Sequence, residues 1–362
     1  MNISTSTAVV TPPAIAGTRR PLLTPIPGTS SEFLMVIDNS SLEKFTMCPR
    51  EAEFYLVRSR EPHAKNAALV FGGAIHAGLE LFGLGASSDE QDARVVEFFT
   101  NNPAPPDYRN VNTALEVLKH YRIRATFPDY DQEILKDTEG NLLVERSFEL
   151  PLGSLEINAN VPMPWLSPED KNQLGPSPWV SHVHVAWSGR MDLIAHTVGK
   201  NRVGDYKTTS IAGSQVIDEY HMASPTRGYV WASRQLYPQH DIRSLFIDFI
   251  HLKKPGATGS YAGSLTAKGP RGGDAPLNFF RAYYDYTLEA IDAWENNTLH
   301  VVSDFLAHLT RGFFPEHNKQ CVRKYGRCPY YDLCIEGNEK VRQQLLYSDL
   351  YKQVTWNPTA ER

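Results

Sequence analysis

The sequence predicts a mixed α/β protein in which a helical N-terminal part leads into a sheet flanked by helices. Helical spacing of apolar residues dominates residues 41–125. Apolar and polar residues begin to alternate near Leu142, and further strand-like runs cover 181–197, 202–208 and 243–252. Helices on both sides of such strands are typical of a layered α/β architecture.

Folded structure is predicted to begin near Asp38, because polar capping residues there are followed by Glu43. Residues 1–33 are rich in Ser, Thr and Pro without periodicity, which predicts a disordered tail. The predicted helices cover 41–57, 67–82, 90–99, 111–125, 225–236 and 279–309, the last with a short leading strand as an alternative.

Two predicted strands form a hairpin that carries two aspartates and a lysine. The short link V-G-K-N between them favours a hairpin. Asp205 and Lys207 are two residues apart, so a strand directs both side chains to one face. Asp192 on the preceding strand can lie opposite them. Carboxylates inside a sheet are costly unless a cation offsets their repulsion, and their oxygens suit Mg²⁺ or Mn²⁺.

This arrangement fits phosphodiester hydrolysis, in which a cation activates water and stabilises charge on the phosphate. Lys207 would orient or deprotonate the attacking water and oppose the developing charge. An ordinary Asp–Lys pair on a surface hairpin is the alternative. His76 is a candidate metal ligand, with a structural histidine as the alternative. Glu80, one helical turn later, is expected to lie behind the ligands or in solvent rather than to bind the metal. Glu145 fits a solvent-facing strand position as well as an active-site one.

The four cysteines are Cys48, Cys321, Cys328 and Cys334. In a reducing cytosol such a set indicates metal binding or catalysis before disulfides. Four thiolates suit either Zn²⁺ or a [4Fe–4S] cluster, and free buried thiols are a third interpretation. The paired C-x-x-C spacing that is typical of structural zinc is missing from the sequence.

Charge and hydropathy narrow the class of protein. A net charge of −5 argues against a protein that coats nucleic acid, but not against an enzyme with a local basic groove. No apolar run approaches the length of a bilayer span, and no basic-then-apolar segment opens the chain. We therefore expect a cytoplasmic protein without a membrane partner.

Taken in order, five motifs resemble the RecB-type nucleases of the PD-(D/E)XK class. They are S-x-L-x-x-F-x-x-C-P-R, G-x-x-x-H, V-E-x-x-F, G-R-x-D and D-Y-K-T, and the resemblance covers about residues 40–336. That group includes nuclease domains of bacterial recombination helicases, CRISPR-associated RecB-like exonucleases and phage relatives. The resemblance implies a restriction-endonuclease-like core with a helical N-terminal region and a C-terminal cysteine cluster.

The resemblance implies a Mg²⁺- or Mn²⁺-dependent DNA nuclease, an exonuclease, in recombination, repair or phage DNA metabolism. DNA is the implied partner, with a helicase or recombination protein as a further one, in a prokaryotic or phage-infected cell. A nucleic-acid-binding or adaptor protein that cuts little or not at all is the alternative. The implied catalytic residues are Lys207, Asp205 and Asp192, and the implied metal ligands are His76, Asp192, Asp205 and the Tyr206 carbonyl.

The sequence departs from the family on the helix that follows the lysine motif. The family places a glutamine there, followed by a tyrosine. Tyr229 matches the tyrosine, but Thr226 stands where the glutamine is expected. Arg227 and Arg234 on this helix are predicted phosphate contacts, with solvated helix charges as the alternative.

The cysteines resemble the iron–sulfur segment of the same nuclease group, so the implied cofactor is a [4Fe–4S] cluster, with Zn²⁺ as the alternative. The gap of six residues between Cys321 and Cys328 is longer than in the family, whereas the five-residue gap to Cys334 matches. One nuclease domain is predicted over 34–362, with a helical part (34–130), a nuclease core (140–310) and an iron–sulfur segment (311–336).

Overall fold

The computed structural model describes residues 3–4, 21–63, 66–166, 168–211, 213–254, 277–323 and 326–353. The strands are β1 (Ile3–Ser4), β2 (Thr24–Pro25), β3 (Glu32–Ile37), β4 (Arg60–Pro62), β5 (Glu133–Ile134), β6 (Val144–Asn160), β7 (Trp179–Thr197), β8 (Lys200–Thr209), β9 (Ser244–Leu252), β10 (Leu277–Asp285), β11 (Val322–Arg323), β12 (Gly326–Arg327) and β13 (Tyr351–Gln353).

The α-helices are α1 (Asn39–Met47), α2 (Pro49–Ala52), α3 (Ala67–Gly83), α4 (Ser88–Asn101), α5 (Val111–Arg124), α6 (Pro168–Leu174), α7 (Ser214–Met222), α8 (Ser224–Leu236), α9 (Leu288–Arg311), α10 (Tyr331–Ile335) and α11 (Glu339–Leu346). A π-helical turn, Glu53–Val57, follows α2. No helix among the described residues is both long and apolar enough to cross a membrane.

The chain divides into two compact units. The first unit comprises Met1–His63, Phe148–Gly189 and Glu295–Glu361, and the second comprises Ala64–Ser147 and Arg190–Trp294. All candidate catalytic residues belong to the second unit, and all four cysteines belong to the first.

In the first unit, β3 pairs in parallel with the opening part of β7, and β2 pairs with β3 in the antiparallel sense. Leu22 and Leu23 are buried, although composition predicts a disordered tail over residues 1–33. Burial of these two adjacent leucines removes apolar surface from water and stabilises this segment. Residues 1–2 and 5–20 of the predicted tail lie outside the described residues.

The first unit also joins distant parts of the chain around an aromatic cluster. The buried residues of this cluster are Phe54, Tyr330, Leu333, Leu346 and Tyr351. The rings of Tyr330 and Tyr351 stack with centroids 5.7 Å apart, and the Tyr330 hydroxyl donates to the Arg60 carbonyl at 2.6 Å. Strand β13 pairs with β4 beside this cluster.

The second unit contains a mixed sheet. The end of β7 is antiparallel to β8 and to β5, β8 is parallel to β9, and β9 is antiparallel to β10. Helices α3, α4 and α5 bury apolar side chains against one face, where Tyr206 and Phe246 lie. On the other face, Tyr220 of α7 contacts the Phe249 ring at 5.4 Å, and the Tyr284 hydroxyl donates to the Ile217 carbonyl.

Most predicted elements of the second unit agree with the structure, including α3, α4, α5, α8 and the hairpin of β7 and β8. The prediction of one long helix over residues 279–309 is wrong, because the first part is strand β10. Its sequence, LNFFRAYYD, is rich in aromatic residues that favour strands, and β10 pairs with β9 along its whole length. The alternative of a leading strand is the correct one, and helix α9 begins at Leu288.

Gly204 is required by the close approach of β8 and β9. A Cβ atom on Gly204 would lie 2.8 Å from Leu193 Cγ and closer still to the Phe246 ring. We expect Gly204→Ala to lower the free energy of unfolding by about 1–3 kcal/mol, as overpacking of a core does, measured by urea denaturation. Gly337→Ala is the control, because nothing lies within 4 Å of its Cβ position. Equal stability of the two variants would contradict this packing.

Candidate active site

The hairpin of β7 and β8 brings the two aspartates together. Val198 and Gly199 have φ values of 47° and 68°, and Thr197 pairs with Lys200 across this two-residue turn. Positive φ at both central residues gives the twist that a tight hairpin needs. Leu193 pairs with Gly204, so the next residues in the same register are Asp192 and Asp205. The turn geometry thus sets both carboxylates opposite each other.

Asp192 is buried and held by two donors. Its Oδ1 lies 3.2 Å from His76 Nδ1 of α3, and its Oδ2 accepts from the Tyr206 amide at 2.8 Å. A carboxylate oxygen offers only lone pairs, so His76 Nδ1 carries the proton in this bond. Burial alone would raise the pKa of Asp192, but His76 and Lys207 hold that pKa well below its usual range.

Asp205 and Lys207 form an ion pair on β8. Lys207 Nζ lies 2.8 Å from Asp205 Oδ1 and 2.7 Å from Oδ2. Burial raises the pKa of Asp205 to about 6, against the opposing effect of Lys207 and with a further rise from the charge of Asp192. Two neighbouring carboxylates therefore hold protons with very different strengths, a pattern typical of functional sites.

Lys207 stays protonated at neutral pH in this arrangement. Burial alone would lower the pKa of its ammonium group, but Asp205 and Tyr229 hold that pKa above its ordinary value. A protonated lysine is a donor and a positive charge, not a base. The raised pKa of Lys207 therefore fits orienting the attacking water and opposing negative charge, and does not fit deprotonating that water.

Glu145 joins the site at the start of β6. One ligand atom from each of His76, Glu145 and Asp192 lies within 4.8 Å of the other two, so these residues could hold a metal ion together. Arg190 approaches the Glu145 carboxylate at 3.5 Å. Asp205 lies outside this triplet, and its oxygens are engaged by Lys207. The donor set is rich in oxygen, which suits Mg²⁺ or Mn²⁺.

The sequence left the place of Glu145 undecided because regular strand alternation there allows a solvent-facing position as well as an active-site one. Glu145 has a φ of 47°, in the left-handed region that residues other than glycine rarely adopt. This conformation interrupts the two-residue period that would otherwise predict which side chains face the core. Such strained backbone often occurs at functional sites. Glu80, the other acid considered with His76, is partly exposed on α3 and is not in the triplet.

Helix α8 carries the three predicted substrate residues. Tyr229 is half-buried and close enough to Lys207 to affect its pKa. Thr226 is fully buried, donates to the carbonyls of Tyr220 and Ala223, and accepts from the Tyr286 hydroxyl at 3.0 Å. Thr226 therefore serves the packing of the helix and does not replace the expected glutamine.

The two arginines of α8, which are predicted phosphate contacts, have different surroundings. The Arg227 guanidinium lies 5.9 Å from the Tyr286 ring centroid and contacts the Met222 sulfur. Arg234 is half-buried in the last turn of the helix. The structure thus places Tyr229 beside the lysine, whereas the described contacts of Arg227 are to other parts of the protein.

The four cysteines form a second candidate centre, within the first unit. All are free thiols, and the Cys328 amide donates to the Cys321 carbonyl at 2.8 Å across the hairpin of β11 and β12. Cys48 lies between α1 and α2, and Cys334 lies on α10. Burial raises the pKa of Cys334 to about 12, with further contributions from Glu316 and the other three cysteines.

A sequence model of the PD-(D/E)XK nuclease superfamily matches residues 39–335. The chain belongs to this superfamily, and its mixed sheet flanked by helices agrees with the restriction-endonuclease-like core expected for it. No curated protein matches the sequence significantly. One similar solved structure is that of a "putative exonuclease" from Eubacterium rectale. It is 12% identical, and the match covers 84% of this chain and 88% of that chain with a TM-score of 0.42.

Proposed function

We propose that this protein is a metal-dependent deoxyribonuclease that hydrolyses phosphodiester bonds as an exonuclease. The observation that carries the proposal is the buried pair Asp192 and Asp205, with His76 beside one carboxylate and Lys207 beside the other. Membership of the PD-(D/E)XK superfamily supports hydrolysis of nucleic acid. The resemblance of the motifs to RecB-type nucleases supports DNA as the substrate and a role in recombination, repair or phage DNA metabolism.

The proposed ligands of the divalent cation are His76, Asp192, Asp205 and the Tyr206 carbonyl, with Glu145 as an addition from the structure. When bound, Mg²⁺ or Mn²⁺ would supply an activated water and neutralise charge on the scissile phosphate. Asp192 is ionised and preoriented for this by two hydrogen bonds. Asp205 must lose its proton before it can act as a ligand.

Lys207 supplies positive charge where the phosphate becomes more negative. Its Nζ is held by both oxygens of Asp205, which fixes the ammonium group on the same face as the carboxylates. A fixed donor that needs no rearrangement during the reaction stabilises a transition state more than a mobile one. Tyr229 of α8 is close enough to Lys207 to affect its pKa, which supports a role in contacting the substrate near this lysine.

The test is cleavage of internally labelled DNA by the full-length protein with Mg²⁺, Mn²⁺ or EDTA. Linear single-stranded, linear double-stranded and closed circular substrates are compared. We expect metal-dependent shortening of linear DNA and no cutting of circles. Binding of DNA without cleavage of any substrate would instead support the adaptor alternative, which the buried Thr226 at the glutamine position favours.

Metal binding should depend on pH through Asp205. Because the pKa of Asp205 is about 6, its carboxyl group is mostly protonated below that pH and mostly ionised above it. At low pH a proton therefore competes with the cation for Asp205. We expect the affinity for Mn²⁺, measured by calorimetry, to fall at least about tenfold from pH 7 to pH 5. Asp205→Asn removes one proton from this competition, so its weaker binding should vary less steeply. If the Mn²⁺ affinity of both proteins changed equally with pH, the assignment of Asp205 as a metal ligand would be contradicted.

We further propose that the four cysteines hold a [4Fe–4S] cluster with a structural role. The donor set fits, because four free thiols lie close enough to raise the pKa of Cys334, and a metal would offset that mutual repulsion. Lys44 and Arg323 pair with the buried Glu51, whose Oε2 lies 3.9 Å from Cys328 Sγ. These cations add positive charge beside a centre that four thiolates would make negative.

A further inference from the structure

A row of buried polar residues crosses the second unit's sheet directly behind the proposed metal ligands. Tyr206 of β8 pairs in register with Asp248 of β9, which pairs with Arg281 of β10. Their side chains point to the face that α3, α4 and α5 cover, opposite to the side chains of Asp205 and Lys207. The row thus runs from β8, which also carries Asp205 and Lys207, across β9 to β10.

Asp248 is the centre of this row. It is fully buried, and its two oxygens accept from Arg281 Nε at 2.6 Å and Nη2 at 2.7 Å. The Tyr121 hydroxyl of α5 donates to Asp248 Oδ2 at 2.9 Å. Arg281 also donates to Gln132 and lies over the Tyr130 ring at 4.2 Å. The Asp248 carboxylate and the Arg281 guanidinium are therefore each held in a defined orientation by several partners.

The row reaches the metal ligands through Tyr206. The Tyr121 ring meets the Tyr206 ring edge-on at 5.9 Å, and the Tyr206 ring meets the His76 ring edge-on at 6.1 Å. The Tyr206 amide also donates to Asp192. The position of Tyr206 therefore determines the orientation of the His76 ring, of the Asp192 carboxylate and of its own carbonyl.

Stability alone does not explain a buried ion pair at this place. Removing two charges from water is costly, and well-packed apolar residues often stabilise a core equally well or better. Partners behind metal ligands, in contrast, commonly fix the ligands' orientation, and their loss weakens metal binding by about 10–100-fold.

We propose that Arg281, Asp248 and Tyr121 are positioning residues that orient the metal ligands through Tyr206. The proposal rests on the proposed function, since it needs a cation at His76 and Asp192. These residues touch neither substrate nor cation, because they lie on the opposite face of the sheet from Asp205 and Lys207. Their effect is on how well the metal site is formed before the cation binds.

The test separates positioning from stability with the double variant Asp248→Leu/Arg281→Met, which replaces the ion pair by apolar side chains. The dissociation constant for Mn²⁺ is measured by calorimetry on the full-length protein, and the thermal unfolding midpoint is measured without Mn²⁺. We expect the midpoint to be kept or raised, while the dissociation constant rises about tenfold or more. A dissociation constant within twofold of wild type would overturn the proposal.

Tyr121→Phe provides a milder variant that removes one hydroxyl and keeps the ring. It is expected to weaken Mn²⁺ binding in the wild-type background and to have no further effect in the double variant, where its acceptor is gone. If Tyr121→Phe lowered the Mn²⁺ affinity by the same factor in wild type and in the double variant, the proposal would be overturned.

Phe279→Leu is the matched control, because the Phe279 ring contacts Tyr121 at 5.8 Å but lies outside the row. It should leave the affinity within twofold, and an equal loss there would overturn the proposal in favour of general loosening of the core. Failure of the proposed function has a different signature, since wild type itself would then bind no Mn²⁺ and cut no DNA.

Discussion

Replacing Asp205 by Asn is expected to lower the rate of DNA cleavage about a thousandfold at saturating Mn²⁺. The amide keeps the shape of the side chain but not the charge that would bind the cation and hold Lys207 Nζ at 2.7–2.8 Å. A metal-bound water and a positioned ammonium group together lower the activation free energy of such reactions by several kcal/mol. Their loss corresponds to a decrease of about three orders of magnitude in rate. Single-turnover cleavage of labelled linear DNA measures this directly.

Asp241→Asn is the control for that experiment, because Asp241 lies in the same unit with its side chain 70% exposed. It should cleave at the wild-type rate. The assignment of Asp205 fails if both variants cleave like wild type, and thermal unfolding of each variant shows whether the fold is kept.

Replacing Cys334 by Ala is expected to remove the iron–sulfur cluster and to destabilise the first unit. A metal centre that ties separate segments together contributes to the free energy of folding. Cys334 packs against the aromatic cluster of Tyr330 and Tyr351, so loss of the centre frees both the cysteine segment and its neighbours. We expect the free energy of unfolding to fall by about 4 kcal/mol or more, as losses of metal sites do.

The measurements are the visible absorbance of anaerobically purified protein, its iron and zinc content, and its denaturation midpoint. Ile335→Ala is the control, since this neighbouring side chain is 64% exposed. If wild-type protein were colourless and bound one zinc ion, the cysteines would hold Zn²⁺ instead of a [4Fe–4S] cluster. Wild type without either metal, and as stable as Cys334→Ala, would contradict a metal centre at the cysteines.

Local patterns in the sequence predict the elements that carry the site. Asp205 and Lys207 are two residues apart, so any strand directs both side chains to one face. The short glycine-containing link V-G-K-N predicts the hairpin, and the structure places its turn at Val198 and Gly199. Helix α3 with His76 follows from its apolar periodicity. These inferences need no knowledge of residues that are distant in the chain.

Other features depend on tertiary contacts and were not predictable in this way. Glu145 reaches His76 and Asp192 because its backbone turns at φ 47°, which no pattern in its neighbours reveals. Strand β10 looks like the start of a helix until β9 pairs with it over nine residues. The row of Tyr206, Asp248 and Arg281 becomes visible only when three strands are set in register.

The most direct test of the metal site is anomalous diffraction from a crystal of the full-length protein soaked in Mn²⁺. The structure predicts one strong manganese peak within bonding distance of His76 and an oxygen of Asp192, with Asp205 binding the ion through one oxygen and keeping Lys207 Nζ beside the other. A manganese-soaked crystal with no anomalous peak at these residues would contradict the claim that they form the active site of a metal-dependent nuclease.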